Sequence, residues 1–172
     1  MKFKKEIDQI PQELILYLDE CGFDLNMIKE YGYQLKSQRL LAERSGQRGD
    51  RITVIAVRDH NNNLLAPFMF EGYTNKTVVK EYLKKVLLPI TKKNQVIIMD
   101  NASFHKGDDI KELIESKNCK LKYMSSYSPD LNPIEKKWSQ IKAWYRRLTH
   151  KYDNKVELIE KLLSVNNYQL FC

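Results

Sequence analysis

Cysteine is scarce and scattered: Cys21, Cys119 and Cys172 form no CxxC or other metal-ligand spacing, and an odd, dispersed set describes no disulfide framework. Six glycines and five prolines in 172 residues are too few for a fibrous or linker-like chain. Long apolar runs are missing too, since no stretch approaches the roughly 18 residues of a membrane span. The start, Met-Lys-Phe-Lys-Lys-Glu, is basic like a signal peptide, but Ile7-Asp8-Gln9 follow where an apolar run would be required. These absences lead us to expect a soluble chain in a reducing cytosol, with no membrane partner. Acidic residues are also in deficit, 22 against 29 Lys and Arg, leaving a formal charge of +7. A basic surface attracts phosphate and gains free energy by counterion release, which favours a nucleic-acid partner. The abundance of Lys, Asn and Ile is equally the usage that an A+T-rich genome imposes on any protein.

What is present is enough for a core. With 42% hydrophobic residues, ten Tyr and six Phe, the chain can bury one compact domain and would be crowded with two. Leu14 to Leu18 is a continuous apolar run ending in Asp19-Glu20 and reads as a buried central strand. Residues 21 to 50 are irregular and basic, with a short strand near Tyr31 to Leu35. Ile52 to Val57 and Leu64 to Phe70 form a hairpin across the polar cluster Asp59 to Asn63. Helical spacing begins after Gly72: Val78, Val79, Tyr82, Leu83, Val86 and Leu87 share a face, with Thr74 or Asn75 as N-cap and Pro89 just past the end.

Val96 to Met99 is a strand ending in Asp100, Asp108 to Lys117 a helix, and Leu121 to Met124 a strand. The loop Ser125 to Asn132 leads into a long helix from Pro133, and a last helix spans about 154 to 165. The order predicts an α/β fold: a mixed five-stranded sheet flanked by helices.

Asp19 and Asp100 each follow a buried strand, where α/β sheets present their functional groups. Two carboxylates converging there repel unless a cation neutralises them, so convergence predicts a metal. Singly, either acid could as well make an Asx turn. Glu135 has its own competitor, because Asn132-Pro133-Ile134-Glu135 reads as N-cap to N3 and places Glu135 in a capping box. The helical wheel weighs against that: Ile134, Trp138, Ile141, Tyr145 and Leu148 form the buried stripe, while Glu135, Lys142 and Arg146 form a second one about 100° around it. Trp138 and Trp144 read as core and rim packing residues. Lys136, Lys137, Lys142, Arg146 and Arg147, with Arg48 upstream, are candidate phosphate contacts, and a merely solvated face is the alternative. Asn101, His105 and Asn132 are candidates to support the acids; for His105 a capping or exposed role is as good.

Three blocks now resemble a known family. They are Tyr17-Leu18-Asp19-Glu20-Cys21-Gly22-Phe23, then Ile98-Met99-Asp100-Asn101-Ala102-Ser103-Phe104-His105, and above all Tyr127-Ser-Pro-Asp-Leu-Asn132-Pro-Ile-Glu135-Lys-Lys-Trp138. They are similar to the DDE transposases of the mariner superfamily, particularly its bacterial insertion-sequence branch. The 34 residues between Asp100 and Glu135 match the interval of that family.

The resemblance covers about residues 12 to 148 and implies an RNase H-like fold in which the first and fourth strands are adjacent and the third acid comes from a late helix. It implies Asp19, Asp100 and Glu135 as catalytic, metal-holding acids. Two Mg²⁺ ions roughly 4 Å apart are the cofactor it implies, with Mn²⁺ able to substitute. The implied partners are DNA, as transposon inverted repeats and a target, usually TA, and a second copy of the chain on that DNA.

The family also carries an N-terminal helix-turn-helix region, whereas only about a dozen residues precede the first strand here. The expectation is therefore a domain that relies on a DNA-binding polypeptide from an upstream frame, or else a truncated remnant. Two competing readings are a non-catalytic DNA-binding remnant and a cellular RNase H-like nuclease.

Overall fold

In a computed structural model of the chain, residues 2–25, 50–124 and 132–164 are described below. The elements are α1 (Lys2–Asp8), β1 (Ile15–Asp24), β2 (Arg51–Arg58), β3 (Leu64–Glu71), α2 (Lys76–Tyr82), β4 (Val96–Met99), α3 (Asp108–Glu115), β5 (Lys120–Tyr123), α4 (Pro133–Leu148) and α5 (Lys155–Ser164). The expected strand at Tyr31 to Leu35, most of the loop before Pro133 and Arg48 lie outside the described residues.

The sheet order is β3-β2-β1-β4-β5. β1 pairs antiparallel with β2, and β2 with β3, while β4 runs parallel to both β1 and β5. This is the mixed five-stranded sheet read from the sequence, with β1 and β4 adjacent. The β2–β3 hairpin closes at Asp59, whose Oδ1 accepts the Asn63 amide at 2.8 Å, with Asn62 at φ 65°. That turn conformation is one that Asn tolerates, which is why the polar cluster works as a turn.

Alternation along β1 divides the core between two faces. Cys21 and Phe23 join Ile134, Trp138, Ile141, Tyr145, Leu158, Ile159 and Leu162 on the side of α4 and α5. Leu16 and Leu18 join Val79, Tyr82, Leu83, Ile110 and Ile114 on the side of α2 and α3. Helices therefore cover both faces. That burial explains the near-continuous apolar runs of β2 and β4.

Three elements differ from the sequence reading. β1 continues to Asp24 rather than ending near Leu18, because its second half keeps pairing with β2 after β4 has ended. The helix at Val78 does not run regularly to Pro89: it is capped by the Asn75 side chain, widens to a π turn over Leu83–Leu87, and tightens to a 3₁₀ turn containing Pro89. Leu83 and Leu87 are both buried in the core. α1 was not expected; Phe3, Ile7 and Ile10 pack against Ile15, Val96, Ile98 and Met124.

Candidate active site

The parallel register pairs Tyr17 with Ile98, and continuing it two residues sets Asp19 beside Asp100, just beyond the end of β4. Asp19 thus projects from the middle of a long strand, past the point where its parallel neighbour stops. Its side chain shares the face of Cys21 and Phe23, on which α4 packs. Asp19 Oδ1 accepts the Glu20 amide at 2.8 Å, and Oδ2 accepts Nδ2 of Asn132 at 3.1 Å.

Burial pushes the Asp19 carboxyl up to about 7, and the negative charges of Glu20, Asp100 and Glu135 push in the same direction. The Glu20 amide only partly opposes them. Acids from the end of β4 and the first turn of α4 therefore lie within electrostatic reach of Asp19 on β1.

Asn132 stands at the N-cap position of α4, is 5% exposed, and makes no side-chain cap. Its amide is spent on Asp19 instead, and its Oδ1 is buried without a hydrogen-bond partner. Glu135 is exposed in the first turn, and no hydrogen bond joins its carboxylate to the Asn132 amide, so the capping box does not form among the described residues. The carboxylate is left facing solvent at the rim of the acids.

Asp100 does make the Asx turn that was its simpler reading, with Oδ1 accepting the Ala102 amide at 3.0 Å. The same oxygen also meets Nδ1 of His105 at 2.5 Å. His105 is fully buried, and its Nε2 reaches Oε1 of Glu20 at 2.6 Å. Burial pulls the imidazole toward neutrality, but the bonds to Asp100 and Glu20 outweigh it and raise it to about 9. The hydrogen bond from His105 in turn holds Asp100 below the usual carboxylate range against its partial burial. His105 is accordingly a charged bridge at neutral pH.

Glu20 had no role in the sequence reading. The missed signal was strand alternation, which sends adjacent Asp19 and Glu20 to opposite faces and so gives them different jobs.

Around the acids, Lys142 reaches the Cys21 thiol; burial pushes that thiol up to about 12 and the ammonium opposes the rise. Lys136, Arg146 and Arg147 are exposed, with the Arg147 guanidinium 5.1 Å from the Trp144 ring centroid. Lys137 is the correction: it is 3% exposed and lies on the packed side of α4 with Ile134 and Trp138, because three residues from Ile134 return to the buried stripe. It does not share the open face of the other cations. Asn101 is exposed immediately after Asp100.

Among the described residues no three His, Cys, Asp or Glu side chains close into a preformed metal cage. The donor set still fits Mg²⁺, which takes one or two carboxylates and keeps water and phosphate oxygens as its other ligands. A carboxylate raised by burial, and further by neighbouring negative charges, is the group that a cation would relieve.

A sequence profile described as DDE superfamily endonuclease matches residues 14–159. No curated protein matches the sequence. Among solved structures, the Mos1 strand transfer complex is similar at a TM-score of 0.62 and 17% identity, covering 94% of this chain and 55% of that one. The Mos1 transposase catalytic domain with raltegravir and Mg aligns at a TM-score of 0.54 and 16% identity, covering 93% of this chain and 83% of that one. A simian T-cell lymphotropic virus intasome aligns at a TM-score of 0.59 and 12% identity, covering 93% of this chain and 50% of that one. The shared fold is that of RNase H-like transposase and integrase catalytic domains. This chain spans little more than half the length of the Mos1 chains in the paired-end complexes it matches.

Proposed function

The chain belongs to the DDE superfamily of endonucleases, and from that premise we propose that it is a transposase catalytic domain of the mariner superfamily, in its bacterial insertion-sequence branch. It cuts DNA at terminal inverted repeats and joins the new 3′ ends to target DNA, usually at TA. The observation that carries this reading is the register that sets Asp19 beside Asp100 at the end of β4, with Glu135 in the first turn of the helix that packs on the same face.

In this reading Asp19 and Asp100 hold the metal ions from the sheet, and Glu135 closes the site from α4. When bound, two Mg²⁺ or Mn²⁺ ions supply activation of the water or 3′-hydroxyl and stabilisation of the leaving oxygen. The chain's own residues orient the acids: Asn132 fixes Asp19 through its Oδ2, and His105 with the Ala102 amide fixes Asp100 through its Oδ1. Lys136, Arg146 and Arg147 sit on the helix that carries Glu135, where they contact the DNA backbone; Lys142, against Cys21, adds positive charge beside the acids.

End recognition comes from a DNA-binding region outside the described residues or from an upstream-frame polypeptide, and a second copy of the chain pairs the two ends. The test is cleavage of inverted-repeat DNA by the chain supplied with such a region. Cleavage that requires Mg²⁺ or Mn²⁺ and disappears in Asp100→Asn is expected; metal-independent cleavage, or cleavage unchanged in Asp100→Asn, would refute the assignment.

A further inference from the structure

We propose that Glu20 is a positioning residue for Asp100, acting through His105; the inference rests on the reading of Asp100 as a metal-holding acid. Glu20 faces away from Asp19, on the side of the sheet that α2 and α3 cover, and its side chain is 12% exposed. From there it cannot share the open rim where the three acids meet. It instead accepts a hydrogen bond from His105, which is 0% exposed, and His105 in turn donates to Asp100, which is 45% exposed. The three side chains form a line from the interior to the rim.

His105 is held on every side. Its Nε2 lies 2.6 Å from Glu20, its Nδ1 lies 2.5 Å from Asp100, and its carbonyl accepts the Tyr123 hydroxyl at 2.8 Å. Phe104 stands edge-on to the ring at 4.5 Å between centroids. A buried imidazole presents two N–H groups at once only if both are accepted, since an orphaned buried donor is costly. Removing the Glu20 carboxylate would leave Nε2 without its partner, and the ring would turn to find another. That turn loosens the hold on Asp100.

That hold decides which Asp100 oxygen meets a cation. Oδ1 already takes the His105 donor and the Ala102 amide, so Oδ2 is the oxygen left for a ligand. Glu20 thus sets the rotamer of Asp100 from two side chains away, in the manner of the carboxylate and histidine partners that orient metal ligands elsewhere.

The experiment compares the full chain with Glu20→Ala and Glu20→Gln, reading Mn²⁺ affinity by paramagnetic resonance and the His105 ring N–H signals by NMR without metal. Glu20→Ala is expected to weaken Mn²⁺ binding about 10- to 100-fold and to shift or broaden the Nδ1–H signal. Glu20→Gln, which keeps an acceptor for Nε2–H, is expected to restore most of both. Unchanged affinity and unchanged ring signals in Glu20→Ala would overturn the proposal, as would equal weakening in the two variants, which would make the effect one of net charge. If the unsubstituted chain binds no Mn²⁺, the metal-site reading fails by itself. The ring signals then decide the role of Glu20: moved in Glu20→Ala and restored in Glu20→Gln they support it, and unmoved they overturn it.

Discussion

Among the described carboxylates, Asp19 is the one whose environment works against its charge. Its carboxyl is raised from 3.8 to about 7 by burial, with the neighbouring acids adding to the effect. The folded chain therefore holds this proton more tightly than the unfolded chain. Metal-free stability falls as pH rises from about 4 through about 7, by up to about 4 kcal/mol for a shift of this size. Asp19→Asn removes the penalty. Thermal melts in chelator are expected to show the variant melting above the parent at pH 8 and level with it near pH 4. Added Mg²⁺ should raise only the parent. His105 has the opposite sign: its raised value, about 9, means that its ion pairs stabilise fully below about 6.5 and are lost as pH rises through about 9. Nitrogen NMR at pH 7.5 should find both ring nitrogens protonated; a neutral ring at that pH would contradict the bridge. The raised His105 and the lowered Asp100 report one interaction and are not counted twice. The adjacency of Asp19 and Asp100 was legible in the sequence because each follows a buried apolar run. Glu20 was not, since its partner lies 85 positions away and only the fold brings them together.

Among the elements, α4 matters most, because it carries Glu135 and lays Asn132 against Asp19. Its position depends on the stripe Ile134, Trp138, Ile141, Tyr145 and Leu148, which packs on β1 and β2 and against α5. Ile141 is fully buried there, so Ile141→Ala should cost about 2–5 kcal/mol in chemical denaturation. This stripe was readable as a 3.6-residue period, and Pro133 marked its start. β1 was read too short because apolar continuity stops at Leu18, whereas the strand goes on with Cys21 and Phe23 inward and Gly22 between them. Gly22 leaves room for the Arg51 guanidinium against the strand: a Cβ would meet it at 1.9 Å, and that flexible side chain would have to move. α1 has seven residues, too few to display a helical period. Lys137 was misplaced because a charged residue was read as solvent-facing, although its position on the wheel returns to the core side.

For the whole molecule, under the proposed function, the net charge of +7 and the exposed cations on α4 predict salt-dependent DNA binding. Each lost phosphate contact lowers the slope of log affinity against log salt by about 1, so Arg146→Ala with Arg147→Ala should lower it by about 2. Lys137→Ala should leave the slope unchanged, and an equal loss there would return Lys137 to the DNA face. The fold and family agree with the order of elements read from the sequence.

The most direct test of the central claim, that Asp19, Asp100 and Glu135 form one metal-dependent nuclease site, is nicking of supercoiled plasmid DNA carrying an inverted repeat by the full chain supplied with the end-recognition region. Nicking should appear with Mg²⁺ or Mn²⁺, vanish with chelator, and fall to background in Asp19→Asn, Asp100→Asn and Glu135→Gln alike. Absence of nicking in both metals, or nicking that survives any one of the three substitutions at the parent's rate, would contradict it.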